Sequence, residues 1–201
     1  MSTTLAIDTA SPVFALALAV DGVITASLQH EGEQEHSQQL LAQIDTLLGA
    51  RKQDLDGIVV VHGPGSYAGL RVGIATAEGL AISRNVPVVG VGTLEAVALA
   101  AGADGVAIHP AGRGEFAAQP FANGVTGGEA FIARLADLGG QRLAGEGAAE
   151  LGGKEVTPEE RVRTALELGL PRLADATGSV DAVYLREPNI SRPRPRPAGG
   201  A

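Results

Sequence analysis

The sequence predicts an α/β fold in two lobes, the second reduced, and three observations predict it. Short apolar runs alternate with helical-period segments through residues 4–102, in the order β-β-β-α-β-α-β-α. Asp21-Gly22 separates two of those runs and is a strong two-residue hairpin signal, so the first three strands form a meander. Of the 201 residues 45% are hydrophobic but only 3% aromatic, with no Trp, so the core must be closely packed Ala, Val, Leu and Ile.

Taken in order, the strands of the meander are 4–8, ending in Asp8-Thr9, then 13–20 and 23–29. The polar stretch 31–35 leads into a helix over 36–50, on which Leu40, Leu41, Ile44, Leu47 and Leu48 span one buried face. A strand over 57–61 enters Gly63-Pro-Gly-Ser66, and a helix with almost no polar face follows. A fifth strand covers 87–91, and Thr93 is expected to cap a helix that stops near Gly102. Residues 104–121 suggest a strand pair and 129–138 a short helix between glycine pairs. Thr157-Pro158-Glu159-Glu160 reads as a capping box with Pro at the first helical position, opening a helix to about Leu168. The expected division is 1–102, a smaller lobe over 103–190, and an extended, disordered Arg/Pro tail over 191–201. A three-strand meander feeding two βα crossovers is the half-domain of the actin-like ATPase (RNase H-like) superfamily.

Composition narrows the functional classes. Mean hydropathy is +0.15, which excludes disorder over most of the length. Cysteine is absent, so disulfides, thiolate catalysis and zinc–cysteine sites are excluded. A net charge of −8 argues against the broad basic surface of a protein that binds RNA unaided. No apolar run approaches the ~20 residues that span a bilayer. The first strand is interrupted by Asp8, where a signal peptide would continue, so a soluble cytoplasmic protein is expected.

The helix after Gly63-Pro-Gly-Ser66 is the most specific stretch. Gly65, Gly69, Gly73, Ala77 and Ala81 recur every four residues, a stripe of minimal side chains flanked by Leu70, Ile74 and Leu80. Val72, Ala75 and Ile82 cover the other side, with Arg71 and Glu78 at a polar edge. Each Gly inside a helix costs roughly 1 kcal/mol relative to Ala, so the stripe implies close approach of another backbone. The helix reads as a docking element.

Other motifs carry two readings each. Asp8-Thr9 could face a nucleotide's phosphates and metal, or Asp8 could cap the turn. Gly63-Pro-Gly-Ser66 before a helix could hold an anion or be a structural tight turn. It lacks the Lys-Ser/Thr of a Walker loop and the spacing of a dinucleotide fingerprint. His30, His36, His62 and His109 show no metal spacing, and Ser66 has neither a nucleophile elbow nor an evident base. Arg192, Arg194 and Arg196 could touch RNA phosphates or be solvated tail.

Leu-Ala-Ile-Asp-Thr at 5–9, His-Ser-Gln-Gln-Leu-Leu at 36–41, the long glycine motif at 63–81, Pro-Val-Val-Gly-Val-Gly-Thr-Leu at 87–94 and Tyr-Leu-Arg-Glu-Pro at 184–188 together resemble the bacterial TsaB (YeaZ) family. Coverage is close to complete over 4–101 and patchy beyond. The resemblance implies a non-catalytic, actin-like subunit of the complex that forms N6-threonylcarbamoyladenosine at position 37 of tRNAs reading ANN codons. It implies binding to the catalytic paralogue TsaD, recruitment of the ATPase TsaE and contact with tRNA only inside the complex, while the small-residue stripe, left exposed in a monomer, predicts a homodimer when the chain is isolated. The paired-histidine metal motif of TsaD has no counterpart here. No cofactor is implied for this chain alone; ATP or ADP would sit at the subunit interface, with Asp8 and Thr9 as the candidate contacts. The family's helical bundle maps onto 37–48 and 66–81, and with the adjoining His36 the candidate interface residues are Leu40, Gln43, Leu47, Gly69, Leu70, Gly73, Ile74, Ala77 and Ala81. The second lobe departs from the pattern. Ile-His-Pro-Ala-Gly-Arg-Gly-Glu at 108–115 has Pro110 where an acid would stand, which argues against nucleotide contact from this lobe.

Two enzymatic alternatives compete. An actin-like ATPase or sugar kinase needs a second Asp-x-Gly phosphate hairpin, and Asp104-Gly105 precedes its strand rather than following one. A glycoprotease-like protein needs metal spacing or a nucleophile–base pair, and neither pattern is present in the sequence.

Overall fold

The computed structural model describes residues 2–31, 36–176 and 178–186, the side chains of 36–38 excepted. The Arg/Pro tail and the side chain of His36 therefore lie outside the described residues. The first sheet is built from β1 (Thr3–Asp8), β2 (Val13–Val20), β3 (Val23–Glu31), β4 (Leu55–Gly63) and β5 (Val88–Gly92). Their spatial order is β3-β2-β1-β4-β5. β1 runs antiparallel to β2 and parallel to β4, and β4 runs parallel to β5. This is the expected meander with two crossovers, and the fold is actin-like. Asp21 (φ 51°) and Gly22 (φ 78°) are both left-handed, the turn whose twist suits a tight hairpin.

Side-chain alternation decides which helix covers which face. Leu5 and Ile7 of β1, Phe14, Leu16 and Leu18 of β2, and Ile58 and Val60 of β4 point one way. They are covered by α1 (His36–Leu48) and α2 (Tyr67–Arg84) through Leu40, Ile44, Ile74, Ala77 and Ala81. Each fully buried Leu or Ile there is worth about 1.5–3 kcal/mol. The intervening residues, Ala6, Ala15, Ala17, Ala19, Val59 and Val61, point the other way and are small. They let α4 (Pro158–Gly169) lie close against the sheet through Val162, Ala165 and Leu166. Although α4 follows the second sheet in sequence, it packs on the first.

The second sheet holds β6 (Gly105–Gly112), β7 (Glu115–Ala122), β8 (Val125–Thr126), β10 (Leu143–Gly145) and β11 (Lys154–Glu155), in the order β11-β10-β6-β7-β8. β9 (Phe131–Arg134) pairs with β7. The expected helix over 129–138 is thus a strand followed by a 3-10 turn at Leu135–Leu138. Pairing explains the difference: β9 supplies partners to Glu115 through Ala118 that a helix would leave unmet. The connecting α3 (Thr93–Ala101) seats Leu94, Val97 and Ala98 against Ala107, Ala117 and Phe121. Its cap differs from expectation. Thr93 is already helical, and the carboxylate of Glu95 accepts the Gly92 amide at 3.3 Å. The capping box at Thr157 is present, with Glu160 N donating to Thr157 Oγ1 at 3.2 Å and Thr157 N donating to Glu160 Oε2 at 2.9 Å. Among the described residues no helix is long and apolar enough to cross a membrane.

Candidate functional site

β1 delivers Asp8 to the junction of the two sheets, and α4 delivers Arg161 to meet it. Arg161 Nε donates to Asp8 Oδ2 at 2.7 Å, and the Ala10 amide donates to Asp8 Oδ1 at 2.9 Å. Arg161 also donates to Ser11 Oγ at 2.8 Å and to Glu146 Oε2 at 3.0 Å, while the Ser11 hydroxyl donates to Glu146. Burial pulls the Arg161 pKa down, but the Asp8 and Glu146 charges outweigh it, and the guanidinium is held above its ordinary value. Burial likewise pushes Glu146 up, yet the Ser11 hydroxyl and the Arg161 charge leave its carboxyl below the ordinary carboxylate value.

This corrects the expectation for Asp8 and Thr9. Both are buried, both Asp8 oxygens are engaged inside the chain, and Thr9 Oγ1 donates to the Gly69 carbonyl at 2.8 Å. Neither side chain is free to face a phosphate or a metal. The cation that answers Asp8 is the protein's own.

The glycine stripe is also turned inward. A Cβ at Gly69 would collide with the Thr9 carbonyl oxygen, and one at Gly73 with Thr9 Oγ1. The close backbone that the stripe demanded is the β1–β2 turn of the same chain. Leu40, Leu70, Ile74, Ala77 and Ala81 are buried in the core, and Gly73 is buried with them. They cannot touch a partner. Of the candidate interface residues with described side chains, only Gln43, Leu47 and Gly69 are even half-buried, and Gly69 is pressed on Thr9.

The exposed surface of these helices lies on the opposite side. Ala68, Arg71, Ala75, Gly79 and Ile82 are exposed and fall within an arc of about 80° on the α2 wheel. Ile82 is 82% exposed, and Leu41 on α1 is 52% exposed. A Cβ at Gly79 would meet nothing within 4 Å. A groove of about 340 Å³ runs between the helices, lined by Leu41, Ile44, Leu48 and Leu80. The sequence wheel already set Ala75 and Ile82 opposite the stripe; what it lacked was any sign of which side the sheet would take.

Between the two sheets lies a cleft of about 480 Å³, bounded by Ser11 on the β1–β2 turn, Ser66 and Tyr67 at the start of α2, His109 and Arg113 from β6 and its hairpin, and Tyr184. Tyr67 and Tyr184 rest ring on ring at 5.1 Å, and Arg71 sits 4.7 Å above the Tyr67 ring. Among the described residues no cluster of three or more His, Asp or Glu is arranged to hold a metal ion.

Residues 28–148 match the family model described as TsaD: tRNA N6-adenosine threonylcarbamoyltransferase. The chain is 37% identical over 97 residues to the tRNA threonylcarbamoyladenosine biosynthesis protein TsaB of Escherichia coli K12, covering 47% of this chain and 42% of that protein. It is 36% identical over 99 residues to the protein of the same name from Bacillus subtilis, covering 48% and 43%. The chain thus spans less than half the length of these curated relatives in the matches. The solved structure of YeaZ from Pseudomonas aeruginosa superposes with a TM-score of 0.71 at 24% identity, covering 92% of this chain and 100% of that one. At that identity the match establishes the shared fold.

Proposed function

Since the chain belongs to the family described as TsaD and is similar to TsaB/YeaZ proteins, we propose that it serves threonylcarbamoyladenosine biosynthesis on tRNA as a non-catalytic subunit. Its role is to dock a TsaD-related catalytic partner through the outer faces of α1 and α2. The observation that carries this reading is the exposed stripe of Ala68, Ala75, Gly79 and Ile82 beside Leu41. Small residues on a helix face admit a second helix at close range, and large exposed apolar side chains at its margin mark a protein contact. In the isolated protein a second copy would take the same face and form a two-fold dimer. The ATPase TsaE and the tRNA join only the assembled complex, and the chain holds no cofactor of its own.

The non-catalytic part rests on Asp8 and Arg161. An actin-like catalyst needs that carboxylate free for a metal or phosphate, and here it is engaged by a buried guanidinium. The test is to combine the purified chain with a TsaD from the same organism, its remaining partners, and a tRNA transcript. The chain alone should give no ATP hydrolysis, no peptidase activity and no modified tRNA, while its omission from the mixture should abolish modification. A turnover that copurifies with the chain alone would overturn the reading.

A further inference from the structure

The cleft between the sheets carries an unmet demand of its own. His109 is 2% exposed and lies on the cleft wall. Its Nε2 sits 3.2 Å from the Ala10 carbonyl, which can only accept, so Nε2 bears the proton. Burial, reinforced by the Arg161 charge, lowers its pKa from 6.5 to about 4, so the ring is neutral at pH 7. Nδ1 is then a bare lone pair, and it has no hydrogen-bond partner among the described residues. The polar group facing it is Glu146 Oε2 at 3.8 Å, another acceptor, already served by Ser11 and Arg161. The Tyr184 hydroxyl, on the same cleft, is also buried without a partner. Buried polar atoms are rarely left so, and each unmet one costs about 1–3 kcal/mol.

Two acceptors thus face each other at 3.8 Å, a juxtaposition that a hydrogen-bond donor beside the pair would relieve. The other side of the cleft has the opposite character. Ser66 caps the 18-residue α2, and Tyr67 begins it. Among the described residues the Ser66 hydroxyl accepts from the Gly69 amide, and first-turn amides have no partner within their helix and favour an anion. Arg113 lines the same cleft and makes no ion pair among the described residues. The volume of about 480 Å³ falls in the range of small-molecule sites.

We propose that the cleft binds a small anion that also carries a hydrogen-bond donor, hydroxyl or ammonium. The donor lies beside His109 Nδ1 and Glu146, and the anionic end lies at the start of α2 beside Arg113. The site is separate from the outer face of α1 and α2, and it stands or falls independently of the subunit reading.

Three phosphate monoesters separate the parts of the proposal: glycerol 3-phosphate supplies a hydroxyl, phosphoethanolamine an ammonium, and ethyl phosphate no donor beyond the phosphate itself. Each is titrated into the full chain while nitrogen-15 spectra of the histidine rings report Nδ1 of His109. One of the two donor-bearing probes should shift that nitrogen saturably at millimolar concentration, ethyl phosphate should bind at least tenfold more weakly, and His109→Phe should lose the difference. The identity of the better probe assigns the donor. An Nδ1 signal unmoved by all three, as a resident bridging water would leave it, overturns the proposal, and so does equal binding of ethyl phosphate. If His109→Phe does not fold, the wild-type nitrogen shift and the probe ranking decide alone.

Discussion

Arg161 and Asp8 stand 153 residues apart in sequence and 2.7 Å apart in space, with neither side chain exposed to solvent. A buried pair of this kind is weak evidence for stability in itself, because desolvation consumes much of the attraction. What it fixes is arrangement. It binds α4 to the end of β1, and through Glu146 it ties the first sheet to the segment after β10. At the end of β1, the Asp8 carboxylate is engaged by the protein's own guanidinium.

Arg161→Met should therefore destabilise the protein by about 3–5 kcal/mol, the usual cost of leaving one buried charge without its partner. Adding Asp8→Asn should recover part of that loss, because the stranded charge is then removed. Denaturant unfolding of the two single variants and the double variant gives the coupling. Strict additivity of the two changes would mean that the pair does not interact as described.

Stability should fall as pH falls from 6.5 toward about 4, the interval between the ordinary and the native pKa of His109. The sign follows from proton counting: in that interval the unfolded chain binds a proton that the buried ring refuses. The contribution is present above pH 6.5 and decreases through the native value, by about 3 kcal/mol at 1.36 kcal/mol per unit. The depressed Glu146 carboxyl adds a further loss at lower pH, since its contribution requires the ionised form. Unfolding midpoints at pH 7 and pH 5 should differ less in His109→Phe than in the wild type. An identical difference would show that His109 is not the group responsible.

Thr157→Ala should cost about 1 kcal/mol, the usual worth of an N-cap side chain. It removes the acceptor for Glu160 N, at the end of α4 that also carries Arg161. A thermal melt suffices to measure it, and Thr157→Ser should restore most of the loss.

Much of this architecture was legible in the chain. Asp21-Gly22 marked the hairpin, the apolar runs marked the five strands of the first sheet, and Thr157 through Glu160 marked the start of α4. The segment 129–138 misled because Gly127-Gly128 and Gly139-Gly140 bound a span that suits a short helix, while strand β9 is dictated by the distant edge of β7. Gly73 misled differently. A stripe of small residues reveals that another segment comes close, but the wheel cannot say whose, and here Thr9 of the same chain sets its carbonyl on Gly69 and its side chain on Gly73. Arg161 gave no local signal at all, for nothing within α4 distinguishes an arginine bound for the core from one bound for water.

Gly73 and Gly79 lie on opposite sides of the same helix, and that contrast yields a prediction about stability alone. Gly73→Ala should destabilise by about 1–3 kcal/mol through overpacking against Thr9, less a helix-propensity gain of somewhat under 1 kcal/mol. Gly79→Ala, with open space around its Cβ, should be neutral or slightly stabilising. Parallel melts showing the reverse order would place the stripe on the surface after all.

The central claim, that the outer face of α1 and α2 receives the partner, is tested most directly by calorimetric titration of Gly79→Leu against a TsaD from the same organism. Added bulk on an exposed face should leave the melting temperature unchanged or raised. In a close helix contact the same bulk should cost about 1–3 kcal/mol, a loss of roughly one to two decades in association constant. A folded Gly79→Leu variant that binds as tightly as the wild type would contradict the account and remove this face from the interface.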